Sequence, residues 1–249
     1  MSERSMIQKS NIRISSLYMV IILLYQAGSA EIRLPRLISS GMVLQRQTDI
    51  KIWGWADVHE PVTLHFLGDS YQTTADDNGE WDIILPKMEA GGPFSMEIIA
   101  ENQIVLDNIL VGEVWVCSGQ SNMDLNMGRV APLYGKEIEN STNSAIRRFF
   151  VSTQYDFNTP QKDFKSGSWD SASPETILRF TAVGYFFAKA LYEQFHVPIG
   201  LIHASVGGSP AEAWLSEEAL REFPHHLASA LQCRDSVYIR EIIAQDQAG

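Results

Sequence analysis

Gly112-Glu113-Val114-Trp115-Val116-Cys117-Ser118-Gly119-Gln120-Ser121-Asn122-Met123 is the stretch whose reading decides the fold. Val114–Cys117 is an apolar run bounded by small and polar residues, the pattern of a short buried strand. Ser118-Gly119 is a breaker pair and predicts where that strand stops. From Met123 to Met127 a weakly apolar pattern resumes, as at a helix start. Ser121 therefore falls on a strand-to-helix turn. A serine there projects its hydroxyl off the carboxyl end of a sheet, and backbone N–H groups at the helix start can hold an oxyanion. The surrounding residues are not Gly-x-Ser-x-Gly, because Asn122 and Met123 follow the serine. On spacing alone the position also suits an ordinary turn serine with no chemistry.

Downstream, the chain reads as alternating strands and helices. A linker with Pro132, Tyr134 and Gly135 leads to a short helix over Lys136–Ser141, and Ile146–Val151 reads as a second strand. Ser152–Ser173 is polar and carries Pro160 and Gly167, so a long surface loop is expected. Ser173 with Pro174 is an expected cap and first position of a helix. Its apolar face is predicted from Phe180, Val183, Phe187, Ala190 and Leu191. Val197-Pro198 ends that helix, Ile199–Ala204 is a third strand, and Gly207-Gly208 turns it. Ser216-Glu217-Glu218 opens a further helix with acid at its positive end. This order predicts a parallel sheet covered on both faces. Ligands bind beyond the carboxyl ends of such strands, where Ser121 and Gly207-Gly208 both fall.

Upstream, the signal changes to period two. Asp49–Trp55, Val62–Leu67, Tyr71–Ala75, Trp81–Leu85 and Phe94–Ala100 read as short strands. Asp77-Asn78-Gly79 is expected to be a hairpin turn, and Ala90–Pro93 another turn. A β-sandwich-like domain over 31–110 follows, with a partial α/β domain over 111–249. Trp53, Trp55 and Trp81 are read first as core, with sugar-stacking platforms the alternative. Residues 1–30 have the form of an export signal: Arg4, Lys9 and Arg13, an apolar core over Ile14–Tyr25, then Ala27-Gly28-Ser29-Ala30 for cleavage. The expectation is a periplasmic or extracellular protein, with no segment left to hold it in a membrane once the signal is removed.

Composition narrows the function. The 249 residues are 45% hydrophobic and 20% charged, an ordinary globular balance. A net charge of −11 argues against a nucleic-acid partner, which needs clustered Lys and Arg. No metal-ligand cluster occurs, and no motif requires a cofactor. His225-His226 are adjacent and do not share a helix face. Cys117 reads as a core thiol, with a Cys117–Cys233 disulfide the weaker alternative.

Gly112–Met123 resembles a block of the bacterial sialate O-acetylesterases, within the SGNH hydrolase superfamily of carbohydrate esterases. A second block, Val197–Trp214, resembles that family's glycine block, and the two occur in the family's order. The likeness runs from about Leu34 to the end of the chain. Leu125, Asn126 and Val206 depart from the usual residues, which bears on substrate preference more than on reaction type. The resemblance implies an SGNH, flavodoxin-like α/β fold and serine acyl transfer that removes acetyl groups from O-acetylated sialic acids or related glycans. Ser121 is then the nucleophile, and the N–H groups of Ser121, Gly207 and Gly208 the oxyanion donors. The family's Asp, His and Asn-bearing block lie downstream of the glycine block. No Asp-x-x-His stretch occurs here, so the expectation is an incomplete catalytic domain. His203 is read as structural, with a role as the base the lesser alternative. His59, His65 and His196 are also read as structural. A competing class is a glycan-binding β-sandwich joined to an inert partial hydrolase domain.

Overall fold

The computed structural model describes residues 31–248, and the expected export segment lies outside them. Six strands come first: β1 (Val43–Gln45), β2 (Ile50–Trp55), β3 (Pro61–Phe66), β4 (Asp69–Thr74), β5 (Glu80–Leu85) and β6 (Gly91–Ile99). The next strand, β7 (Gln103–Gly119), is 17 residues long. Then follow α1 (Ser121–Asp124), α2 (Met127–Glu139), β8 (Asn143–Phe150), β9 (Trp169–Ala172), α3 (Ala182–Phe195), β10 (Ile199–Ser205), α4 (Glu217–Leu220), α5 (Pro224–Gln232) and α6 (Ser236–Ala248).

One mixed sheet runs in the order β4-β3-β6-β7-β10-β8-β9, with β1 also paired to β7. Strands β2 and β5 form a separate antiparallel pair. Alternation explains the pair. Ile50 and Ile52 on β2 and Trp81, Ile83 and Leu85 on β5 are buried, while Lys51 and Asp82 are exposed. The buried side faces Val62, Leu64 and Phe66 of β3 and Met96 and Ile98 of β6, making one core. A second core gathers Cys117, Ile146, Phe180, Tyr185, Ile199 and Leu201.

Strand β7 belongs to both regions. Its first part pairs antiparallel with β6, and Leu110–Gly112 pair in parallel with β1. From Glu113 to Gly119 it pairs in parallel with β10, which pairs in turn with β8. The apolar run Val114–Cys117 is thus the end of a much longer strand. Two features permit its length. Asn108 takes a left-handed φ of 59° at a bulge, so Leu106 and Ile109 both reach the core. Arg147 braces the bulge: its guanidinium donates to the Asn108 carbonyl, to Asn108 Oδ1 at 2.8 Å and to the Gly41 carbonyl at 2.6 Å. Gly112 then passes Pro198 so closely that a Cβ there would lie 2.0 Å from the Pro198 oxygen.

Several local expectations change. Asp77-Asn78-Gly79 does turn, with Gly79 at φ 71°, but β4 and β5 do not pair. The turn is a corner that carries the chain from the large sheet to the small one. Asp76 stabilises it by accepting from the N–H groups of Asn78 and Glu80 at 2.8 and 2.9 Å. The linker expected after Met127 is itself helical: α2 is two helical segments joined across a kink at Tyr134, with Pro132 in the first and the expected short helix beginning in the second. The long loop contains strand β9, which is hydrogen-bonded to β8.

Ser173-Pro174 does not open the next long helix. A 3-10 turn (Ile177–Arg179) intervenes, and α3 starts at Ala182, capped by the Thr181 hydroxyl. The buried face of α3 is Ala182, Gly184, Tyr185 and Ala188, whereas Val183 and Phe187 are exposed. Phe187 instead packs edge-on against Trp115, with ring centroids 5.0 Å apart. Helix α3 lies on the sheet face that carries Cys117 and Leu201. On the opposite face Val116 is 64% exposed, so the expected cover on both faces is not found there among the described residues.

Candidate active site

Ser121 is the first residue of α1 and is exposed. Gly119 ends β7 with φ 134°, which turns the chain off the sheet. The Gln120 carboxamide oxygen caps the helix. It accepts from the Ser121 N–H at 3.2 Å and from Ser121 Oγ at 2.6 Å. The hydroxyl expected to be the nucleophile is therefore paired with its neighbour, and the N–H expected as an oxyanion donor is occupied by the same oxygen.

The glycine block lies on the adjoining strand. In the parallel register Ser205 is level with Gly119, and the Val206 N–H donates to the Gly119 carbonyl at 3.0 Å. The turn bearing Ser121 and the turn bearing Gly207-Gly208 are thus neighbours at the carboxyl ends of β7 and β10. The two glycines are needed for different reasons. Gly208 has a left-handed φ of 79° with open space around it. A Cβ at Gly207 would sit 2.9 Å from Asp124 Oδ2, so a larger residue there would require the Asp124 carboxylate to shift. Ser209 holds the loop by donating to the Val206 carbonyl at 2.7 Å and accepting from the Trp214 indole at 2.9 Å.

Beneath these turns lies a chain of polar groups that sequence reading missed. Ser205 Oγ donates to Asp124 Oδ1 at 3.3 Å and lies 2.7 Å from His203 Nε2. The hydrogen-bond directions are consistent if neutral His203 carries its proton on Nε2 and donates to Ser205. His203 is 2% exposed, and its Nδ1 has no partner among the described residues. Burial pushes its pKa down to about 4; the Arg148 cation adds to the effect and Asp124 opposes it. The imidazole is neutral near pH 7, so its 4.0 Å approach to Asp124 is not an ion pair at that pH. No hydrogen bond joins His203 to Ser121 among the described residues; its polar contact is Ser205. One signal was available in the sequence. Asp124 lies three residues after Ser121, the spacing that puts two side chains on one helix face.

A cavity of about 290 Å³ opens at the carboxyl ends of β8 and β10. Phe164, Ala204, Val206 and Trp214 line it, and the long loop contributes Thr153 and Lys165. Ser121 is not among its lining residues. Both cysteines are free, so the weaker disulfide alternative does not hold; Cys117 is buried, and burial raises its pKa.

The chain is similar to known carbohydrate acetylesterases. Rat sialate O-acetylesterase is 27% identical over 225 residues, covering 82% of this chain and 41% of that protein. The human sialate O-acetylesterase is 28% identical over 204 residues, covering 74% and 39%. A crystal structure of a carbohydrate acetylesterase from Xanthomonas citri matches with a TM-score of 0.73 at 34% identity, over 76% of this chain and 43% of that one. The chain therefore spans about two fifths of the length of these relatives. Residues 111–241, just over half of the chain and including both turns, match the family described as carbohydrate esterase, sialic acid-specific acetylesterase, and the chain belongs to that family.

Proposed function

We propose that this chain carries the nucleophile and oxyanion turns of a serine carbohydrate O-acetylesterase that acts on O-acetylated sialic acids or related glycans. The observation that carries the proposal is the pairing of two turns. Ser121 stands exposed at the end of β7, and Gly207-Gly208 stand beside it at the end of β10, joined by the Val206-to-Gly119 hydrogen bond. In acyl transfer Ser121 Oγ gives its proton to a base and bonds to the acetyl carbonyl carbon. The sugar oxygen leaves as a hydroxyl carrying that proton, and water then releases acetate from the acyl-serine. Backbone N–H groups of the glycine loop stabilise the oxyanion. The Ser121 N–H joins them once the Gln120 carboxamide swings away. The relatives' names supply the substrate class.

The base comes from outside the described residues in this proposal. His203 is unsuited to the role, because it is buried and bonded to Ser205. Among the described residues no strand pairs with one edge of β7 from Glu113 to Gly119, since β1 ends opposite Gly112 and β6 opposite Val111. A further strand added at that edge would bring its own carboxyl end beside Ser121. The fold reading is a β-rich region followed by an SGNH-type parallel sheet that is completed at this edge. Export through residues 1–30 belongs to the same proposal. N-terminal sequencing of exported protein is then expected to begin at Glu31.

The test is acetate release from O-acetylated sialic acid by a polypeptide extended downstream to include the family's Asp and His, with and without Ser121→Ala. The substitution is expected to lower the rate by about a millionfold, as for loss of a triad nucleophile, and to leave the fold intact. Unchanged turnover would refute the assignment of Ser121. Brisk turnover by residues 1–249 alone, lost on Ser121→Ala, would place the base within them.

A further inference from the structure

The outward face of the β2–β5 pair forms a groove of about 440 Å³, and none of its lining residues belongs to the Ser121 turn or the glycine loop. Period two puts Lys51, Trp53 and Trp55 on one side of β2. The register sets Asp82 opposite Trp53 and Glu80 opposite Trp55. Both tryptophans are half-buried, so they line the groove without filling it. Trp55 is held from one side by the Arg33 guanidinium, which lies 4.7 Å from its ring centroid. The long loop closes one side, where Lys162 pairs with Glu80. Across the floor, Lys51 pairs with Asp82 at 3.6 Å. Strand β4 adds the Thr73 hydroxyl. The indole N–H of Trp81, which also lines the groove, is buried and has no partner among the described residues.

We infer that this groove binds a neutral, hydroxyl-rich glycan chain, separately from any chemistry at Ser121. Indole rings beside dense hydrogen-bonding groups of both signs suit sugar rings, which offer apolar C–H faces and a rim of hydroxyls. The charge balance selects among glycans. Two lysines face three carboxylates, Asp76, Glu80 and Asp82, and both lysines are already paired. Among the described lining residues no cation is left over for a sugar carboxylate or a phosphate, and the neighbouring Arg33 guanidinium is engaged over the Trp55 ring, so acidic glycans are disfavoured. The groove is open, as suits the interior of a chain rather than one enclosed sugar. Such a site would hold a polymer near the protein while acetyl groups are removed elsewhere on it. That use rests on the proposed esterase reading; the binding itself does not.

Affinity electrophoresis tests the inference. Native gels containing hydroxyethylcellulose, glucomannan or arabinoxylan are compared with plain gels and with gels containing polysialic acid. The protein is expected to be retarded in at least one neutral gel and unaffected by polysialic acid. Trp53→Ala is expected to weaken that retardation by about tenfold, the loss of roughly one stacking contact. Trp53 also touches the core. The paired change Lys162→Ala with Asp82→Ala therefore serves as a second probe: both side chains are largely exposed, at 70% and 51%. It is expected to weaken binding severalfold with an unchanged melting temperature. Ser121→Ala is expected to bind like wild type, which separates this inference from the esterase proposal. Absence of retardation in all three neutral gels would overturn it. So would retardation only by polysialic acid, or retardation that survives both sets of changes.

Discussion

Replacing His203 by Gln tests the polar chain under the Ser121 turn, and its effect can be worked out in sign and size. The folded-state pKa of His203 is pushed from 6.5 down to about 4, chiefly by burial, with the Arg148 cation of β8 adding to the effect and Asp124 of α1 opposing it. In the unfolded chain the imidazole titrates near its usual ~6.5. Between those two values the unfolded chain takes up a proton that the folded chain refuses. The stability tied to neutral His203 is therefore complete above pH 6.5, falls as pH drops, and stops falling near pH 4. At ~1.36 kcal/mol per pH unit the gap is worth about 3 kcal/mol. His203→Gln removes the titration and keeps a donor for Ser205 Oγ. Urea unfolding of both proteins from pH 7.5 to 4 gives the difference in stability at each pH, in which other titrating groups cancel. Wild type is expected to lose about 3 kcal/mol relative to the variant between pH 6.5 and 4. A flat difference, or an NMR titration placing His203 above pH 6, would refute the account of a neutral buried imidazole bonded to Ser205.

Three further outcomes are expected. Gly112→Ala drives a Cβ toward the Pro198 oxygen and strains the Glu113-to-Pro198 hydrogen bond, so it should lower stability by roughly 2–4 kcal/mol, read by urea denaturation. Arg147→Met leaves the Asn108 and Gly41 carbonyls without their donor and should destabilise by about 3 kcal/mol, with hydrogen exchange quickening first at the β7 bulge. Cys233, which is partly exposed, should react with a thiol reagent in the native protein, whereas Cys117 should react only on unfolding, because burial raises its pKa.

Much of this molecule was legible in the sequence, for identifiable reasons. Strands β2, β3 and β5 alternate because one side faces the core and the other faces water, so period two showed them. Ser121 and Gly207-Gly208 could be placed at strand ends because breakers mark strand ends. The length of β7 was hidden. Its bulge at Asn108 shifts the alternation midway, and Glu113 interrupts the apolar run. Strand β9 holds only Trp169–Ala172, too short and polar for its pattern to register. The face of α3 was misjudged because Val183 and Phe187 are apolar yet exposed, an arrangement set by Trp115 at the sheet edge. Asp124 and Ser205 went unread because their partnership depends on β10 lying beside β7, and no local pattern encodes that neighbour.

The continuity of β7 has a consequence for how the molecule comes apart. A tether between modules would offer a protease a place to cut and would let each half melt at its own temperature. Here the boundary is a hydrogen-bonded ribbon, clamped by β1 on one side and by the Pro198 carbonyl on the other. Softening of the β-rich region would pull directly on the residues that present Ser121. Heating should therefore give one calorimetric transition, and a damaging change as distant as Ile52 or Leu64 should be felt at the serine.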